Sequence, residues 1–281
     1  MTSKKSKFSI SRTIVNIVLL VAGIAMAFPF VWMVLTSLKT LPQLLSDPLS
    51  VIPDPATVSN YTKAFDQVPF GQAYLNSAYI TALTVIGTLL TASMAAYGFG
   101  RIRFPGTKVL FILFLATQMI PKQVTLIPTY ILMAKLGWVD SHLSIIVPGM
   151  MVNPFAVFLL RQFVLSLPVE LEEAAMIDGA SRLQIFFRVI LPNLKPGLAA
   201  LAIITAIDAW NNFLLPLVLL NDPELFTVPL LLSQFRGKFA GINYGLIMAG
   251  SAIATIPVLI VFLVAQKRII NAMVGSGFGG K

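Results

Sequence analysis

The stretch PVELEEAAMIDGASRLQIFFRVILPNLKP, residues 168–196, decides how the rest of the chain is read. It carries Glu170, Glu172, Glu173, Asp178, Arg182, Arg188 and Lys195, yet apolar runs long enough to cross a bilayer flank it on both sides. Pro168 suits a helix start, where a missing N–H costs nothing. Glu170, Glu172 and Glu173 then fill a first turn, where carboxylates meet the positive end of the helix dipole. Gly179 offers a left-handed helix end. Ser181 followed by Gln184 reads as a capping box that opens a second helix, and Pro192 should stop it. The spacing predicts a short helix, a bend and a second short helix, polar on one face and held between two membrane spans.

Composition explains why the flanks must be membrane. The chain is 57% hydrophobic and 11% charged, against about 25% charged in a soluble domain, so the excess apolar surface needs lipid as its solvent. A net charge of +9 raises nucleic acid as a partner, but no Lys/Arg cluster is interleaved with aromatics, and no nucleic-acid binding is expected. With no cysteine, there is no disulfide, thiol nucleophile or Cys-metal site. His142, the one histidine, lies beside Asp140 and offers neither a metal cluster nor a triad; surface or interfacial solvation is the expectation. No catalytic residue and no metal ligand set is expected. The tail GSGFGGK (275–281) matches phosphate-loop patterns by spacing alone, without the strand before and helix after that such loops require. A flexible tail is expected there, and no nucleotide site.

Apolar runs near the ~20 residues that a bilayer requires fall at about 14–38, 74–99, 108–132, 143–163, 197–220 and 244–265. The first follows Lys4, Lys5, Lys7 and Arg12 and is too long for a signal-peptide core, so it reads as a retained span. Residues 39–72 are polar and proline-rich, the longest predicted loop outside the membrane. Fourteen of the twenty basic residues fall on one side: the N-terminus, Arg101, Arg103, Lys108, the 161–195 loop and the C-terminal segment. Lys39, Lys63, Lys122, Lys135, Arg236 and Lys238 fall on the other. Cytoplasmic segments carry the basic excess, so both termini and the 168–196 loop are expected in the cytoplasm. The expected fold is an all-α integral membrane protein: one six-span transmembrane domain over residues 1–281, with a cytoplasmic loop between spans four and five.

The same loop carries a resemblance. Glu173-Ala174-Ala175, three residues, Gly179, nine residues, Val189, one residue and Leu191-Pro192 resembles the EAA loop of ABC importer permeases, with Val189 where that pattern has Ile. PFVWMVLTSLK (29–39), AAYGFGRIRFPG (95–106), MIPKQVTLIPTY (119–130), FLLRQF (158–163) and AWNNFLLPL (209–217) are similar to the carbohydrate, maltose-type branch. The resemblance implies that the loop forms a coupling helix docked on a cytoplasmic ATPase, through Glu173, Ala174, Ala175, Asp178, Gly179, Leu191 and Pro192. A helix lying on the membrane surface is the competing reading. Such helices carry Lys and Arg on the polar face, whereas this one leads with acids that an anionic leaflet repels.

The resemblance also implies a second homologous permease subunit, two ABC ATPase subunits and an extracytoplasmic solute-binding protein. The setting it implies is a bacterial or archaeal cytoplasmic membrane. The solute would be a sugar or oligosaccharide; a polyol or glycerol phosphodiester is the alternative. ATP and Mg would sit on the partner ATPase, leaving this chain without cofactor or catalysis. Residues 221–243, with Arg236 and Lys238, resemble the loop that reaches into the binding protein.

Inside the membrane, Asp208 is the one carboxylate expected in mid-span. Insertion there costs roughly 2.5–3.5 kcal/mol, so it should face a cavity or partner. Thr205, Asp208 and Asn212 share a helical face by spacing, with Trp210 and Asn211 adjacent. Amides, a carboxylate and an indole suit a sugar path; a hydrogen bond between helices is the equal alternative. An ATP-independent secondary transporter would rest on Asp208 alone. Asn153-Pro154 is a further path candidate, for which the favoured reading is a kink whose freed backbone groups Asn153 satisfies.

Overall fold

The computed structural model describes residues 10–66, 68–151, 153–234 and 243–277, with side chains from Thr13 to Val264 within those ranges. The predicted N-terminal lysines, Arg236, Lys238 and Lys281 lie outside the described residues, as do the side chains of Arg12, Lys267 and Arg268. Among the described residues every regular element is helical: α1 Ile10–Ser37, α2 Leu41–Ser46, α3 Ser59–Asp66, α4 Phe70–Arg101, α5 Thr107–Ala116, α6 Leu126–Lys135, α7 Leu143–Met151, α8 Pro154–Ser166, α9 Glu170–Ile177, α10 Arg182–Ile185, α11 Leu191–Asn193, α12 Lys195–Trp210, α13 Leu214–Leu219, α14 Val228–Gln234 and α15 Tyr244–Gly277, with a π turn at Phe186–Ile190.

Among the described residues, four helical stretches are long and apolar enough to cross a membrane: Thr13–Ser37, Phe70–Arg101, Leu143–Ser166 and Tyr244–Val264. A fifth forms if Arg182–Asn193 and Lys195–Trp210, bent by 77°, count as one. Two predicted spans are broken. The run 108–132 stops at Ile120, which is extended because the ring of Pro121 disfavours the helical conformation of the residue before it. The run 197–220 stops at Trp210, where the Asn211 side chain donates to the Ile207 carbonyl and closes the helix end. The predicted flexible tail is helical through Gly277.

The chain divides into two compact units, residues 1–68 with 234–255 and residues 69–233 with 256–281. In the first, the segment predicted as a long loop is folded. Lys39 is fully buried, its ammonium donating to the carbonyls of Ser50 and Pro48 and lying 4.8 Å from the Trp32 ring centroid. Carbonyl dipoles and a π face replace the water that a buried cation loses. The Asn60 amide donates to the Ser37 and Lys39 carbonyls, 2.8 Å each. α1 shows the opposite character, with Val18, Leu19, Leu20, Ile24 and Met26 at least 60% exposed. That surface requires lipid or protein cover.

α4 is the spine of the second unit and packs along α7, α8 and α12. Small residues permit the approach: Ala92, Ala96 and Ala156 are buried, and a Cβ on Gly87 would meet the Met150 Cβ at 2.7 Å. Close packing of this kind substitutes for the hydrophobic effect within a membrane. The break between α7 and α8 falls at the predicted kink. Pro154 lacks the N–H that would bond Met150, and the Thr91 hydroxyl of α4 donates to that carbonyl at 2.6 Å. Thr88 does the same for Gly149 at 3.0 Å. Asn153 caps α8, its Oδ1 accepting from the Ala156 N–H at 3.0 Å.

Candidate functional site

The two halves of the 168–196 loop differ in kind. α9 begins with Glu170, Glu172 and Glu173 in its first turn and ends in a Schellman motif. The Ala180 N–H reaches the Ala175 carbonyl and the Gly179 N–H the Met176 carbonyl, 3.0 Å each. Gly179 sits at φ +78° with open space where a Cβ would be, the left-handed geometry that glycine adopts without penalty. The capping box then forms as the spacing predicts: the Gln184 side chain accepts from the Ser181 N–H at 2.7 Å, and the Ser181 hydroxyl oxygen from the Gln184 N–H at 3.4 Å.

Pro192 does not stop the second helix. The π turn at Phe186–Ile190 widens the ladder so that Leu191 N–H bonds the Phe186 carbonyl, and the chain stays helical through Asn193. The bend comes at Leu194, between Asn193 and Lys195. Ile185, Phe186, Ile190 and Leu194 are each no more than 2% exposed and pack with Ala96, Tyr97, Phe111, Leu160, Val164 and Leu201. Burying each large side chain contributes about 1.5–3 kcal/mol, so one face of this half of the loop is core, while Leu183 and Phe187 are exposed on the other.

α9 is surface except at one residue. Glu173, Ala174, Met176, Ile177, Asp178 and Gly179 are exposed, Ile177 at 86%, and Ala175 is half-buried against the core. Leu191 is half-buried and Pro192 exposed. Glu172 alone is buried. Its Oε1 lies 2.8 Å from Arg101 Nε, its Oε2 lies 3.9 Å from an Arg182 guanidinium nitrogen, and the Tyr97 hydroxyl donates to Oε2 at 3.4 Å. The Arg101 N–H is not aimed along the 2.8 Å vector, so that contact is an ion pair rather than an aligned hydrogen bond. Arg101 also donates from Nη2 to the Leu167 carbonyl at the end of α8. The resemblance singled out Glu173; in the sequence Glu172 was legible only as one of three acids in the first turn of α9.

At the far end of α4 a second network holds residues 219–228. The Asn76 amide donates to the Glu224 and Phe226 carbonyls at 2.8 and 3.1 Å, and Ser77 Oγ accepts from the Val228 N–H at 2.8 Å. Asp140 Oδ1 accepts from the Asn221 and Asp222 N–H groups at 2.8 and 3.0 Å. His142 is half-buried rather than solvated as expected. Its Nε2–H donates to the Leu225 carbonyl at 2.7 Å, and the Tyr79 hydroxyl meets its Nδ1. A carbonyl can only accept, which fixes the proton on Nε2.

The predicted path residues are not gathered on one face. Thr205 is buried, with no hydrogen-bond partner for its hydroxyl among the described residues. Asp208 lies in the last turn of α12 rather than mid-span, 73% exposed, 3.6 Å from Lys122, itself 83% exposed. Trp210 is buried edge-on against Tyr74, ring centroids 5.2 Å apart. Asn211 caps α12 and Asn212 lies beyond its end, while Asn153 is occupied in capping α8. The helix ends two residues after Asp208, so the spacing that placed Asn212 on its face no longer applies.

Long apolar helices, a bent pair and a polar loop folded into their ends define a helical membrane component. The model of the family described as binding-protein-dependent transport system inner membrane component matches residues 87–274. The chain belongs to that family. It is 35% identical over 277 residues, 98% of each chain, to the arabinooligosaccharides transport system permease protein AraQ of Bacillus subtilis (strain 168). It is 34% identical over 274 residues, 95% of this chain and 98% of the relative, to the trehalose/maltose transport system permease protein MalG of Thermococcus litoralis. Among solved structures it resembles a chain of a bacterial ABC transporter involved in the import of the acidic polysaccharide alginate. That match has a TM-score of 0.80 and 26% identity, covering 95% of this chain and 99% of the other.

Proposed function

We propose that this chain is the six-span permease subunit of an ATP-driven importer for a sugar or oligosaccharide, and that α9 is the surface on which a cytoplasmic ATPase docks. The observation that carries this is the contrast inside one loop. α9 presents Ala174, Met176 and a largely exposed Ile177 beside acids, while the adjoining segment is anchored on one face by Ile185, Phe186, Ile190 and Leu194 in the core of its own unit and leaves Leu183 and Phe187 exposed on the other. An exposed apolar patch rimmed by charge on an otherwise anchored element is the form of a protein-docking surface. The family membership and the oligosaccharide relatives support the solute class. The broken runs at 107–135 and 195–219 make up the third and fifth spans in this reading, and both termini face the cytoplasm.

A second permease chain would cover the apolar surface of α1, two ATPase subunits would hydrolyse ATP with its Mg ion, and a solute-binding protein would deliver the sugar at the far end of α4. Asp208 and Lys122, exposed together at the end of α12, would line the path or meet the sister permease. Purification of this chain through an N-terminal tag from its native membrane, with mass spectrometry of the co-purifying proteins, tests the reading. A Walker-motif ATPase and a second permease are expected; recovery of the chain alone as a stable homo-oligomer overturns it.

A further inference from the structure

Glu172 has no part in a docking surface: it is 3% exposed and faces away from α9's open side. A carboxylate leaves water at high cost unless paired, and its pairing joins several elements at one point. Tyr97 and Arg101 come from the last turns of α4, Arg182 opens α10, and Arg101 also holds the Leu167 carbonyl that ends α8. Beside these polar contacts, Ile185, Phe186, Ile190 and Leu194 of the loop pack on the helix ends through apolar side chains. Apolar contacts are non-directional and can slide past one another at little cost. A buried ion pair cannot, because separation strands two charges in a low dielectric.

We propose that Glu172 and Arg101 form the pin through which displacement of α9 is passed to α4. This rests on the reading that α9 docks the ATPase, and it adds which contact carries the load inward. Glu172 is a positioning residue: it touches neither solute nor nucleotide. Pushed from outside, α9 can move only with Arg101, hence with α4, and α4 packs along α7, α8 and α12. The load therefore enters the helical unit at the end of its spine. Glu173, beside it in sequence but exposed, lies on the partner side of the same lever.

The test uses the assembled complex with its binding protein in proteoliposomes and measures solute transported per ATP hydrolysed. Glu172→Gln removes the charge and keeps the shape; Arg101→Lys keeps the charge and loses the planar fork that also holds Leu167. Each variant that assembles is expected to hydrolyse ATP while transport per ATP falls at least about fivefold, the lower end of measured coupling between sites. A ratio within about twofold of the parent in either assembled variant overturns the pin. Failure of both variants to assemble also overturns it, since the pair would then be needed for folding alone. Failure of the docking reading is separable: a cross-linker on α9 would then miss the ATPase in the parent protein, whereas failure of the pin leaves that cross-link intact.

Discussion

The two ends of α4 are tied down by different chemistry. At one end Asn76, Ser77, Asp140 and His142 hold residues 219–228 through hydrogen bonds to backbone groups. At the other, Glu172 is held through charge, by Arg101 and Arg182. Hydrogen bonds spread over several residues each contribute about 1 kcal/mol, somewhat more at the Asp140 carboxylate, so that end can loosen one bond at a time. The buried pair is held or broken as a unit. In the proposed reading, the difference would suit an outer platform that adapts to a binding protein and an inner joint that does not slip.

The largest expected effect is at the charged end. Arg101→Ala leaves Glu172 buried without its nearest counter-charge and should destabilise the subunit by about 3–5 kcal/mol, read as a lowered unfolding midpoint in detergent. Gly87→Leu, between the two ends, forces side-chain atoms into Met150 and should cost about 1–3 kcal/mol in the same measurement. Asn76→Ala removes two bonds from the hydrogen-bonded end and should cost about 1–2 kcal/mol. Hydrogen exchange should then quicken at residues 224–228 and stay unchanged around Glu172; equal quickening at both ends would erase the distinction. Gly179→Ala has room for its methyl but must hold a positive φ, at about 1 kcal/mol. Asp208→Asn should change stability by less than about 1 kcal/mol, because the exposed pair with Lys122 is screened by solvent.

Much of the loop was legible because its signals are local. The Gly179 turn, the Ser181–Gln184 box and the Asn153-Pro154 kink each depend on a few adjacent residues whose geometry admits one outcome. The breaks at Ile120 and Asn211 were hidden within apolar runs, where hydropathy records solvent and not continuity of the helix. Pro121 and the paired asparagines were visible, but a membrane helix can absorb a proline when neighbours satisfy the backbone, as α1 does at Pro29. The choice between Glu172 and Glu173 turned on which side of a short helix meets Arg101, seventy-one residues earlier. No local pattern carries that information. His142 was misjudged for the same reason, its partners Tyr79 and Leu225 lying far away in the chain.

The absence of cysteine permits the most direct test of α9 as the docking surface. Ile177→Cys, labelled with a photoactivatable cross-linker in native membranes, places a reactive group on the most exposed side chain of that helix. If a partner ATPase docks there, irradiation yields a covalent adduct with a Walker-motif subunit, and the same label at Ile185, which is buried, yields none. An adduct confined to lipid, or labelling at Ile177 with no protein attached, would contradict docking through α9.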